Sequence, residues 1–174
     1  KHVMAGENRI QLIAPVMTVY SEIEAVYLLG DFSLESQKKG WKIIPPKSLE
    51  LGSWKEQGNP FYSEDVSYTK TYNLLSKDEN KRYVIKLFDW YGSVTEVLVN
   101  NKSAGIIAWS PNELDITDQI KEGDNEISIV ISGTLKNLLG PHHIGSVHGT
   151  AWPVSFASAS KNIPSGNKYD LIDY

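Results

Sequence analysis

The sequence predicts an all-β protein, an antiparallel sandwich or barrel, and three observations carry that reading. Apolar residues recur with a period of two wherever a period is legible, most cleanly at Ile127, Ile129 and Ile131, which alternate with Glu126, Ser128 and Val130. Turn-forming residues break the apolar runs at short intervals, as at Asn100-Asn101-Lys102-Ser103, Ser110-Pro111 and Lys121-Glu122-Gly123-Asp124-Asn125. No stretch reads as a substantial helix. About ten short strands are expected, a number and spacing typical of sandwiches and barrels.

Taken in order, Asn8 to Ile13 reads as a short strand and Thr18 to Ala25 as a helical turn. Ala25 to Leu29 reads as a buried strand closed by Gly30-Asp31, and the polar run Ser33 to Gly40 as a loop. Trp41 to Ile44 is a short strand ended by Pro45-Pro46, because proline cannot donate to a strand ladder. Ser48 to Pro60 has turn character throughout. Within Phe61 to Leu75, Val66, Tyr68, Tyr72 and Leu74 share one face, with Lys70 the charged exception. Ser67, Thr69, Thr71 and Asn73 form the other, solvent-facing side.

Tyr83, Ile85 and Leu87 mark a returning strand that runs into Phe88-Asp89-Trp90-Tyr91 and turns at Gly92-Ser93. Val94 to Asn100 and Ala104 to Trp109 are strands flanking the Asn100-Asn101 turn, where asparagine tolerates the left-handed backbone. A short strand precedes the turn at 121–125, and Glu126 to Ile131 follows it. Thr134 to Leu139 is expected to form one helical turn stopped by Gly140-Pro141. Residues 142–151 read as a loop, Trp152 to Ala159 as a final strand, and 161–174 as a polar arm lying over the sandwich.

At 174 residues the chain suits one domain and can bury roughly 70% of its unfolded surface. Hydrophobic residues at 41% and charged residues at 22% are ordinary for a globular protein. A net charge of −4 with no Lys/Arg cluster excludes an electrostatic footprint for nucleic acid, and no apolar run approaches the roughly 20 residues of a membrane helix. Zero cysteines exclude a disulfide framework and thiol chemistry. The chain begins at Lys1 without an initiator or signal peptide, so it is expected to be part of a longer protein.

The order EVLVNNKSAG…LDITDQIKEGDNEISI resembles the sugar-binding jelly-roll domain of glycoside hydrolase family 2 and its relatives. Those proteins follow an LVNG-like turn with a DVT..L..G.N.L.V.V run, and Asn101 stands where Gly is usual. GSWKEQGNPFY (52–62) and TLKNLLGPHH (134–143) resemble segments of large bacterial glycosidases related to that family and to α-L-rhamnosidases. The resemblance runs over roughly 25–174. It implies a galactose-binding-like jelly roll over 25–160, with 1–24 a linker or the remnant of a preceding domain. It also implies a non-catalytic accessory module from the C-terminal part of a periplasmic or extracellular glycoside hydrolase. The partners it implies are carbohydrate, the catalytic domain of the same polypeptide, or both. No cofactor is required, although structural calcium is common in such modules, held by backbone carbonyls and Asp side chains that leave no residue signature.

Two other classes compete with that reading. A glycosidase needs two carboxylates about 5–5.5 Å apart for retention, or about 6.5–9.5 Å for inversion. Glu64, Asp65, Asp89, Glu96, Glu113 and Asp115 are available, but nothing in their spacing pairs them, and in the resembling family the catalytic acids lie on a separate barrel. A protein-binding adhesion module is the third reading, since fold does not fix function. His142, His143 and His148 raise a zinc site, which the lack of a fourth ligand at a recognisable spacing disfavours.

The aromatics at turns are the most informative candidates, because Trp and Tyr offer a flat face for a sugar ring and a polar handle for its hydroxyls. Trp54, Gln57, Tyr62, Trp90, Tyr91, Trp109, His142 and His143 are the expected carbohydrate or domain contacts. The alternative is that the rings plug the ends of the sandwich core or bury against a partner domain. For Trp90 and Trp109 that alternative is favoured, and for Trp54 and Tyr62 the two readings stand level.

Overall fold

A computed structural model describes residues 4–13, 16, 18, 20, 26–139, 165–169 and 171. The chain divides into two compact units, 1–30 and 31–174. In the first, Gly6 adopts φ +99° and the Asn8 amide closes a turn, accepting from the Met4 N–H at 2.9 Å and donating to the Met4 carbonyl at 2.8 Å. The strands expected at Asn8–Ile13 and Ala25–Leu29 do not form over the described residues 8–13 and 26–29. Ile10, Leu12, Ile13, Val26 and Leu29 are exposed there. An apolar run becomes a strand only when a neighbour takes its backbone groups, and no described strand pairs with either segment.

The second unit is all-β. Its strands are β1 (Ser33–Ser36), β2 (Trp41–Ile44), β3 (Asp65–Leu74), β4 (Val84–Lys86), β5 (Val94–Val99), β6 (Lys102–Ile107), β7 (Glu113–Asp115) and β8 (Gly123–Ser132). Helix is confined to the turn Lys136–Leu139 and a 3₁₀ turn at Gly166–Lys168. The principal sheet has the order β3-β8-β5-β6, antiparallel throughout, and β1-β2 and β4-β7 form two smaller antiparallel pairs. No helix among the described residues is long and apolar enough to cross a membrane. The strand expected at 152–159 lies outside the described residues.

Ser33–Ser36, expected as loop, is a strand. Its polar sequence hides the pattern, and what makes it a strand is the hairpin partner Trp41–Ile44, reached through a tight turn with Gly40 at φ +63° and a Gln37 N–H to Gly40 carbonyl bond of 3.0 Å. The Asn100-Asn101 turn follows its expectation, with φ +53° and +63°, the left-handed pair that a two-residue I′ hairpin requires.

The odd positions of β5, Thr95, Val97 and Val99, are all buried and face the core. Across β8 they register with Ile131, Ile129 and Ile127, and β3 continues these rows with Val66, Tyr68 and Lys70. The core cluster is Val97, Val99, Ile107, Ile116, Ile120 and Ile127, covered by Ile85, Leu87 and Leu114 of the β4-β7 pair and its continuation, and by Tyr83, Trp90 and Leu74. Each fully buried aliphatic contributes roughly 1.5–3 kcal/mol, whereas an exposed ion pair such as Lys86–Glu113 contributes at most about 1 kcal/mol. The cluster therefore decides stability. The solvent side of β3 holds Ser67, Thr69, Thr71 and Asn73 as expected, with Thr69 and Ser128 hydroxyls 2.8 Å apart across the strands.

The β4-β7 pair is clipped at the surface by Asp115. The hydroxyl and N–H of Thr117, and then the Arg82 guanidinium at 2.7 Å, hold this carboxyl down from the ordinary 3.8 to about 2. A folded-state value below the unfolded one adds stability that is complete above pH 3.8 and lost as pH falls through about 2. Urea unfolding of wild type and Asp115→Asn at stepped pH checks this. The gap between them should be constant above pH 3.8 and close toward pH 2.

Candidate functional site

The sheet register decides which loops meet. Asp65 of β3 and Val94 of β5 both stand opposite Ser132 of β8, and Thr95 stands opposite Ile107 of β6. The segment entering β3, the segment entering β5, the segment leaving β6 and the segment leaving β8 therefore share one end of the sheet. Trp54, Tyr62, Trp90, Tyr91 and Trp109 all belong to those segments. His142 and His143 lie outside the described residues.

The aromatics at that end divide by exposure. Trp54 is 1% exposed. Its indole N–H donates to the Tyr68 hydroxyl at 2.8 Å, its ring meets Tyr62 edge-on at 6.0 Å, and a Cβ on Gly133 would come within 3.2 Å of it. Gln57 shapes the loop around Trp54. Its Oε1 accepts from the Glu50 N–H at 2.7 Å, and its Nε2 donates to the Glu50 and Ser53 carbonyls at 3.0 and 3.3 Å. Of the two readings open for Trp54, the structure takes the core plug; its ring face is not open to a ligand. Tyr62 remains 39% exposed, its hydroxyl donating to the Asp65 carbonyl.

Trp90 is half-buried against the core, in keeping with the expectation for it. A side chain at Gly92 would collide with Ile131 and meet Trp90 at 3.2 Å, so the chain enters β5 through a gap only glycine fills. Tyr91 points outward, 65% exposed. Trp109 is 76% exposed, so it does not plug the sheet end, and of the burial expected for it, contact with a partner domain is the form left open. Continued alternation from the buried Ile107 would turn Trp109 inward, but β6 ends at Ile107. The next turn, with a cis Ser110–Pro111 bond and the Asn112 N–H on the Trp109 carbonyl at 3.1 Å, redirects it.

Sequence reasoning missed Phe88, which is 75% exposed at the same end, beyond the β4 edge. Alternation after Tyr83, Ile85 and Leu87 already assigned it outward. The Lys86 ammonium lies 5.6 Å from its ring centre while pairing with Glu113 at 3.6 Å.

A second feature lies elsewhere in the unit. A cleft of about 300 Å³ opens between the β1-β2 hairpin, the loop around Lys55 and residues Gly166, Tyr169 and Leu171, lined by Trp41, Lys47, Lys55, Glu35 and Glu56 among others. Trp41, Phe61 and Tyr169 pack mutually edge-on with centroids 5.5–5.9 Å apart. Burial pushes the Tyr169 hydroxyl above its ordinary value, against the lowering influence of Trp41. Gly166 and Leu171 are seated by the Gly166 N–H on the Gln37 carbonyl at 3.2 Å and by the Lys55 ammonium on the Leu171 carbonyl at 3.3 Å. Pairing across such sequence separation leaves no local signal.

The carboxylates weighed for catalysis are all exposed, and two of them are paired with cations. Glu113 pairs with Lys86, Asp115 with Arg82, and Glu96 is exposed on the outer face of β5. Asp78 and Asp115 are held below the ordinary carboxyl range, the reverse of what a general acid needs. Among the described residues no three His, Asp or Glu side chains are grouped to hold a metal ion.

No family model matches the chain. It is 28% identical over 130 residues to a protein of Formosa agariphila provisionally named beta-glucuronidase, a match covering 70% of this chain and 11% of that protein. Among solved structures it is similar to a rhamnosidase from Novosphingobium sp. PP1Y, with 16% identity and a TM-score of 0.40, over 68% of this chain and 12% of that one. The chain thus spans a small fraction of the length of each of these two proteins.

The division of the aromatics is testable by stability. Trp54→Ala should cost about 3–5 kcal/mol, and Trp109→Ala should stay within about 0.5 kcal/mol of wild type, both read by urea denaturation.

Proposed function

We propose that this chain is a non-catalytic accessory module of a larger, secreted bacterial glycoside hydrolase, in which the strands of the second unit form part of a galactose-binding-like jelly roll. The observation that carries the reading is the 11% share: a protein named for a glycosidase activity matches this chain over a small part of its length, leaving most of it for the chemistry. The surface pairing of Glu113 with Lys86 and of Asp115 with Arg82 supports the same reading.

The module's contact with the rest of its polypeptide is assigned to the sheet end that carries Phe88, Tyr91 and Trp109. Three large rings at one sheet end, each at least 65% exposed, are unusual to leave in water. The cleft between the β1-β2 hairpin and Tyr169 lies elsewhere in the unit, and the aromatic end is assigned to a protein face. Under this reading the aromatic end braces the catalytic domain, and any carbohydrate contact lies elsewhere.

The pure chain should not hydrolyse aryl glycosides. Turnover that disappears on Asp89→Asn or Glu113→Gln would make the chain itself the enzyme and end the accessory reading. The open reading frame encoding the chain should also specify a separate domain bearing a carboxylate pair.

A further inference from the structure

We infer that the cleft between the β1-β2 hairpin and Gly166, Tyr169 and Leu171 is a binding site for a neutral sugar residue. Its volume of about 300 Å³ is at the lower limit for small-molecule sites, the size range of a single pyranose ring rather than a nucleotide or a peptide. Its lining combines what such a ring requires. Trp41 and Tyr169 supply aromatic surface for the C–H face, and Leu34 and Leu171 extend the apolar wall. Glu35, Glu56, Lys47, Lys55 and Ser36 supply acceptors and donors for hydroxyls.

The site is built rather than incidental. Trp41 is fixed between Phe61 and Tyr169 by edge contacts at 5.6 and 5.5 Å, so its orientation is set before any ligand arrives. Gly58, at φ +91°, brings its carbonyl onto the Leu34 N–H at 2.7 Å, and a Cβ there would approach the Leu34 carbonyl at 3.0 Å. A Cβ on Gly166 would come within 2.8 Å of the Ser36 hydroxyl and 2.9 Å of the Gly40 carbonyl. Both glycines therefore bring the walls together at distances no other residue permits.

Charge selects the class of sugar. The two ammoniums and two carboxylates of the lining balance, so an acid sugar gains no net attraction. Glu35 already faces Lys42 at 3.8 Å and Lys55 already donates to the Leu171 carbonyl. Lys47 and Glu56, by contrast, form no ion pair with a described residue. Both are exposed at the rim. They are the groups most ready to exchange water for sugar hydroxyls, Glu56 accepting and Lys47 donating.

This inference rests on the accessory reading only for the source of its ligand, and its test is separate. The isotopically labelled chain is titrated with methyl glycosides of neutral hexoses and with glucuronate while backbone amide shifts are followed. Saturable shifts are expected at Ser36, Lys47, Glu56, Gly58 and Gly166 with neutral sugars, with dissociation constants on the order of millimolar. Lys47→Ala and Glu56→Gln should each weaken binding about tenfold without changing the circular dichroism or melting temperature. Trp109→Ala should leave the affinity unchanged. No saturable shift with any neutral hexose, shifts confined to 87–91 and 108–112, affinity indifferent to both rim substitutions, or tighter binding of glucuronate would each overturn the assignment. A parent reading frame without a catalytic domain would defeat the accessory reading and leave the cleft result standing.

Discussion

Strand β8 is the constraint on which the second unit depends. It pairs along its ten residues with β3 and over Ile127–Ser132 with β5, so its backbone groups there are taken on both sides. Because strand side chains alternate, a slip of one residue would carry Ile127, Ile129 and Ile131 to the outer face and bring Ser128 and Val130 inward. The core would lose its central row. The registers of β3, β5 and, through β5, of β6 are therefore set together, and with them the loops that share an end.

The two ends of this sheet are closed by different chemistry. At the end where β8 begins, Asn125 is buried and bonds the Lys121 N–H and carbonyl, the Gly123 carbonyl and the Asn100 amide, while Asn100 receives the Glu126 N–H. The Asn100 and Asn125 amides are thus satisfied within that closure. At the other end Trp54 and Trp90 plug the core, and Phe88, Tyr91 and Trp109 project beyond it. Buried amides close the core at one end, where Leu75 is also exposed, and three exposed aromatic rings stand together in the segments at the other. That asymmetry is the physical ground for assigning it to a partner.

Much of this was legible in the sequence. The alternation at 127–131, the Asn100-Asn101 turn and the two faces of β3 all followed from local rules, because strand period and left-handed turn preference are properties of neighbouring residues. What failed was non-local. Ala25–Leu29 had strand composition and no partner; Ser33–Ser36 had loop composition and a partner eight residues on. Trp109 does not plug the sheet end because alternation stops at Ile107 and the turn at Ser110-Pro111 redirects the chain. Trp41 and Tyr169 were overlooked as a site because their meeting depends on how a distant segment lies against the hairpin.

Two surfaces thus divide the work proposed for the chain, an aromatic end for a protein neighbour and a cleft for a small hydroxylated ligand. The central claim is that the end carrying Phe88, Tyr91 and Trp109 is covered in the whole protein. Backbone hydrogen exchange, measured on this chain alone and again within the intact polypeptide, tests it most directly. The account predicts added protection at 87–92 and 108–112, with Asn100-Asn101 and Lys121–Gly123 unchanged. Equal exchange at the aromatic end in both forms, or new protection at the asparagine end instead, would contradict it.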